Sequence, residues 1–140
     1  FWFNLARQTG RLLALQNQVT HKQVINRMKE QYGDRSTISR EGQRVIRSFV
    51  GWKVLRDADA IGCYKNGNAN LIVDPKLTLL LFESALLANP EAKSPLALLQ
   101  NNPAFFPFHI STLTGSQISQ NNDRIEVISH GLDEVLVRLK

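Results

Sequence analysis

Arg40, Arg44 and Arg47 stand at i, i+4 and i+7 in the stretch Tyr32 to Leu55, YGDRSTISREGQRVIRSFVGWKVL. At helical spacing they share one solvated face, while Val45, Ile46, Phe49, Val50 and Trp52 recur as an apolar stripe elsewhere on the same helix. A helix that is apolar on one side and lined with guanidinium groups on the other suits an anionic groove. An arginine aimed at guanine would discriminate by roughly 1–3 kcal/mol, whereas one aimed at phosphate would act on every sequence alike. The plainer alternative is a solvated helix face, partly neutralised by Glu41 beside Arg40.

Other chemistry finds little footing. The chain has no glycine-rich phosphate loop, no GxSxG elbow and no HExxH. His21, His109 and His130 fall on three separate predicted elements, with no carboxylate or cysteine at ligand spacing. Asp57 and Asp59 would suit a carboxylate pair, yet Arg56-Asp57-Ala58-Asp59 reads first as a polar turn. Cys63 reads as a small core residue on a strand. The expectation is a protein that is not an enzyme and has no cofactor or metal.

The charge distribution supports an anionic partner. Residues 1–56 hold eleven Lys/Arg against three acids, a net of +8, and residues 57–140 hold six bases against nine acids, a net of −3; together they give the +5 of the chain. Phosphate backbones attract the first part and not the second. With 140 residues, 43% hydrophobic and 21% charged, the chain has the composition of a folded protein of one ordinary domain or two very small ones. One cysteine makes no internal disulfide, which suits a reducing, cytoplasmic setting. No signal peptide is recognisable, and the apolar run Leu77 to Ala88 is interrupted by Glu83 and too short to span a bilayer, so no membrane partner is expected. The start at Phe1-Trp2-Phe3, without an initiator methionine, suggests a fragment or processed chain.

The elements that must position the arginines follow in order. Phe1 to Gln16 is apolar at helical spacing, although Gly10 weakens its middle by roughly 1 kcal/mol relative to alanine. Gln16 to Val19 suits a short extended piece. Thr20 is a natural N-cap for a helix over His21 to Gln31, with Val24, Ile25 and Met28 inward and Gly33 ending it near a left-handed position. Ser36 or Thr37 can cap a third helix reaching about Leu55. Asn66-Gly67-Asn68 between Ala60 to Lys65 and Ala69 to Val73 is a strong hairpin signal, because both Asn and Gly tolerate positive φ. Ile61, Cys63, Leu71 and Val73 would face inward, and Pro75 would close the unit.

That order, carried by QVTHKQVINRMKEQYGDRSTISREGQRVIRSFVGWKVL and the hairpin IGCYKNGNANLIV, resembles a winged helix-turn-helix DNA-binding domain over about residues 3–74. The resemblance implies an α+β, mostly helical fold of three helices and a β-hairpin wing, with the third helix in the major groove and the wing on adjacent backbone. It places Arg35, Thr37, Ser39, Arg40, Gln43, Arg44 and Arg47 toward double-stranded DNA, and Lys65, Asn66 and Asn68 at the wing tip. The third helix is long for such a domain, so only its first half would read DNA, and Trp52 and Leu55 would serve packing. A homodimer on two half-sites fits the same class. The implied role is a transcriptional regulator or the DNA-binding portion of a larger DNA-acting protein. The alternative is a winged-helix interaction module without nucleic acid.

Residues 1–75 are expected to form that domain and residues 76–140 a second, helical unit with a C-terminal β-hairpin. Leu77 to Ala88 is a helix apolar all round, stopped by Asn89-Pro90. Ser94-Pro95 starts another helix, broken by Asn101-Asn102-Pro103, and Thr114 to Asn121 adds a last helical turn or two. Arg124 to His130 and Glu134 to Lys140 alternate as paired strands joined by Gly131-Leu132-Asp133. Phe105, Phe106 and Phe108 would seal this unit against Leu77 to Ala88. The layout would also suit a second, diverged winged helix.

Overall fold

The computed structural model describes residues 1–131 and 134–140. The chain is α+β, with six helices and eight short strands among the described residues. It forms two compact units that are not sequential: Phe1–Asn70 with Pro103–Pro107, and Leu71–Asn102 with Phe108–Lys140.

In the first unit, α1 (Trp2–Leu15), β1 (Gln18–Thr20), α2 (His21–Tyr32), α3 (Ser36–Gly51), β2 (Leu55–Asp57) and β3 (Cys63–Asn66) follow one another. The entry to α2 is locally encoded. Thr20 ends β1 and its hydroxyl accepts from Gln23 N at 3.1 Å, while the Gln23 side-chain oxygen accepts from Thr20 N at 2.9 Å. This reciprocal box satisfies two helix-terminal N–H groups that nothing else would reach. Gly33 caps the other end at φ 92 and ψ 160, a positive φ but outside the left-handed helical region.

The helix α3 departs from expectation at both ends. Its N-cap is Arg35, which makes no side-chain cap, so Ser36 is the first helical residue and Thr37 the second. It stops at Gly51 and not near Leu55. Lys53 takes φ 64, and the N–H groups of Lys53 and Val54 donate back to the carbonyls of Val50 and Phe49, both at 3.0 Å. Val54 and Leu55 are buried, so their apolar character belongs to a strand entering the core and not to another helical turn.

The expected Asn-Gly hairpin does not form. β3 is the middle strand of a sheet ordered β1-β3-β2, antiparallel to both neighbours, with Val19 opposite Tyr64 on one side and Asp57 opposite Tyr64 on the other. Both edges of β3 are therefore taken. The connection that turns is Ala58–Gly62, closed by Ala58 N donating to Cys63 O and by Gly62 at φ 76. Asn66-Gly67-Asn68 instead runs beside the end of α3, Gly67 N donating to Val54 O and Asn68 N to Lys53 O. Ile61, expected inward, sits in the turn fully exposed, and Leu71 and Val73 are exposed as well.

The core of this unit joins Leu5, Leu12 and Leu13 of α1, Val24 and Met28 of α2, and Val45, Ile46 and Phe49 of α3 to Val19, Leu55 and Tyr64 of the sheet. The returning segment Pro103–Pro107 completes it. Phe105 meets Phe3 edge-on at 6.3 Å and Phe106 meets Phe49 at 5.9 Å, so these rings pack in the first unit and do not seal the second. Gly10 explains itself here: a Cβ at this position would run into the Pro103 carbonyl, so the close approach of backbone to backbone excludes any side chain.

The second unit holds α4 (Pro75–Ala88), β5 (Lys93–Pro95), α5 (Leu96–Gln100), α6 (Gly115–Asn121), β7 (Ile125–His130) and β8 (Glu134–Leu139). A further short pair joins β4 (Asn70–Ile72) to β6 (Phe108–Ile110), with Ser111 N donating to Ile72 O. Pro75 opens α4 at its first position, behind an Asp74 cap, where its missing N–H costs nothing. Ser94 and Pro95 pair with β8 before α5 begins, so Ser94 does not cap that helix. β7 and β8 pair antiparallel from Ile125↔Leu139 to His130↔Glu134 with Ile125 and Val137 buried; of the expected joining residues, Leu132 and Asp133 lie outside the described residues. The sheet order is β5-β8-β7. Helix, strand running straight into helix, helix, then two strands with the last in the middle is the plan of both units.

Substituting Gly10→Ala should therefore destabilise the chain, against the propensity of alanine for a helix interior. Forcing Pro103 away overpacks the contact at about 1–3 kcal/mol, more than the ~1 kcal/mol gained in propensity. A urea or thermal unfolding midpoint at or above that of the parent would disprove the contact.

Candidate nucleic-acid interface

The exposed side of α3 carries Thr37, Arg40, Gln43, Arg44 and Arg47, while Gly42, Val45, Ile46 and Phe49 are buried on the opposite side. Arg35 stands exposed at the N-cap, and Ser39 is half-buried at the edge of the face. The buried side packs closely on α2, where a Cβ at Gly42 would press on the Ile25 side-chain terminus.

The arginines differ in their company. Arg44 pairs with Glu41 at 2.8 Å, one turn back on the same helix. Arg47 reaches across to Asp57 on β2 at 3.1 Å. The Asp57 charge, with the Tyr64 hydroxyl contributing, raises the Arg47 pKa further above its usual value, so it stays charged at any working pH. Both pairs are solvent-exposed, where ion pairs add little to stability and exchange readily for another anion. Arg40 makes no ion pair among the described residues.

Trp52 is not the packing post that its place in the apolar run suggests. It lies past the end of α3, 64% exposed, and stacks on Trp2 with ring centroids 5.7 Å apart. Phe49 fills the packing role, with 6% exposure.

The wing residues need relocating. Lys65 is in the middle of β3 and not at a tip, opposite Arg56 of β2 and Gln18 of β1. Asn66 ends the strand opposite Leu55, and Asn68 lies beside Lys53. The tip, Ala58-Asp59-Ala60-Ile61-Gly62, has no cation. Cross-strand partners share a face of the sheet, so Arg56 and Lys65 stand side by side as like charges, an arrangement that is unfavourable unless an anion lies over it. Sequence reading missed this pair because Arg56-Asp57 looked like a polar break; the alternation Leu55, Arg56, Asp57 was the available signal.

Between α2, α3 and the β2–β3 turn lies an open hollow of ≈ 550 Å³, lined among others by His21, Gln43, Arg47, Asp57 and Tyr64. His21 N donates to Gly62 O at 2.7 Å, which ties the start of α2 to the turn. The His21 Nε2 is buried with no hydrogen-bond partner among the described residues. Burial lowers the pKa of this imidazole below its ordinary 6.5. Among the described residues, no three His, Cys, Asp or Glu side chains gather as they would around a metal ion. No described helix is long and apolar enough to cross a membrane.

A histidine whose folded pKa lies below its unfolded value leaves the unfolded chain to bind the proton first. Its neutral form in the fold therefore has no penalty above 6.5, and stability is lost as pH falls from 6.5 toward the lower folded pKa. An NMR titration of the His21 ring should give a midpoint below 6.5, and His21→Gln should reduce the loss of thermal stability between neutral and mildly acid pH. A ring that titrates at or above the ordinary value would refute the buried setting.

No protein-family model, curated protein or solved structure matches this chain, so the functional reading rests on the arrangement of its own side chains.

Proposed function

We propose that the first unit is a winged helix-turn-helix domain that binds double-stranded DNA, as a transcriptional regulator or as the DNA-binding portion of a larger DNA-acting protein of the cytoplasm. The observation that carries this is the exposed cationic face of α3 within the order α1-β1-α2-α3-β2-β3, whose sheet runs β1-β3-β2. In this reading the first three turns of α3 enter the major groove. Arg40 and Gln43 are free to address base edges, and Arg44 and Arg47 exchange Glu41 and Asp57 for phosphate. The Arg56–Lys65 pair, and not Asn66 or Asn68, supplies the wing's contact to the backbone. The second unit, built on the same plan, is then a diverged winged helix; its net charge gives it no pull on phosphate.

A second reading is favoured by one observation. The β2–β3 tip bears Asp59 and an exposed Ile61 but no Lys or Arg, and two arginines of α3 already have acidic partners. A winged-helix module that docks another protein would have these features.

Retention on heparin and mobility shifts with mixed duplex fragments separate the two. For DNA binding, Arg44→Ala with Arg47→Ala should lower duplex affinity at low salt by about tenfold or more and reduce the slope of log affinity on log salt by about 2. Arg56→Ala with Lys65→Ala should weaken all sequences alike. Flow-through on heparin, or duplex affinity untouched by the α3 double substitution, would leave the protein-docking reading.

A further inference from the structure

The helix α4 buries Thr78, Leu79, Phe82, Ala85 and Leu86 in the second unit, which fixes it in place. Its sequence is apolar all round, yet its other side is uncovered: Leu77, Leu80 and Leu87 are 51%, 61% and 68% exposed. These positions recur at i, i+3 and i+10, with Ser84 and the exposed Ala88 between and beside them on the same side. A helix without a polar face belongs inside a core or an interface. The only hydroxyl on this side is already satisfied, since Ser84 Oγ donates to Leu81 O at 2.6 Å, so closing the face strands no donor.

We propose that the α4 face docks on α4 of a second copy of this chain, antiparallel, about a two-fold axis beside Ser84. In that register Leu80 of one helix opposes Ala88 of the other, and Leu87 opposes Leu81, so large side chains meet small ones or interdigitate. It also brings Lys76, the charged residue at the N-terminal end of the face, toward Glu91, which follows the C-terminal end of the partner helix. The three leucines alone leave roughly 350 Å² of apolar surface per chain, the size of the largest apolar patch on a typical monomer, which is often functional. Two such faces with their rims bury on the order of 1,000 Å², the threshold of a specific interface and the size of a reversible one. The dimer does not depend on the DNA reading.

The test is the mass of the full chain by light scattering and sedimentation, without DNA, from low micromolar to several hundred micromolar. The mass should rise with concentration from one chain to two. Leu80→Glu and Leu87→Glu should each raise the dissociation constant by at least about tenfold, as for a central apolar contact, with an unchanged thermal midpoint at concentrations where the parent chain is a monomer, because both sites are exposed there. Leu98→Glu, an equally exposed leucine on α5, should leave the dimer intact. A chain that stays monomeric throughout, or a dimer that survives Leu80→Glu combined with Leu87→Glu, would overturn the proposal. Duplex binding measured on the same variants is a separate result, so failure of the interface and failure of the DNA reading are told apart.

Discussion

The first unit depends on β3 being paired on both edges. A four-residue strand with β1 on one side and β2 on the other leaves no backbone group of its middle residues without a partner. It also carries Tyr64 into the core between Val19 and Leu55. Because β1 runs directly into α2 and β2 follows α3 after one tight turn, that pairing fixes where both helices point. The positive φ at Lys53 and the hydrogen bonds around Val54 are the local consequence: α3 must end there for Leu55 to reach the strand.

The same constraint decides what the arginines face. Arg47 finds Asp57 only because β2 lies alongside α3, and the turn between β2 and β3 is held against the start of α2 through Gly62. The exposed acids Glu41 and Asp57 act as built-in counterions in the free protein. Since such exposed pairs are weakly held, replacing a carboxylate with a phosphate requires little reorganisation of the protein. Arg56 and Lys65, by contrast, are cross-strand neighbours of like sign.

The second unit repeats the element plan with different chemistry. Its short α6 is polar with Ser, Gln and Asn, and its unusual feature is α4, whose inner side is core and whose outer side is leucine. One plan with two surfaces separates what a fold specifies from what its exposed residues do.

Local order was legible wherever a few neighbouring residues decide it. Thr20 with Gln23, the apolar spacing of α1 to α3, the stop at Asn89 and the alternation from Ile125 to Leu139 all gave the observed elements, because caps and periodicity act within one or two turns of chain. The face on which Arg40, Arg44 and Arg47 lie followed from their spacing alone. The partners of those residues did not. Asn66-Gly67 has the local preference for a hairpin, but β3 had no free edge, so the turn moved to Ala58–Gly62 and Lys65 moved from tip to strand. Phe105 and Phe106 were drawn into the first core by Phe3 and Phe49, and Gly10 was fixed by the Pro103 carbonyl, contacts between residues 57 to 102 positions apart. Sequence determined the main helices, the terminal strand pair and which helix face was cationic, since these depend on short-range spacing. Tertiary structure decided strand partners, ion pairs and the exposed side of α4, because those depend on which surfaces long-range packing leaves free.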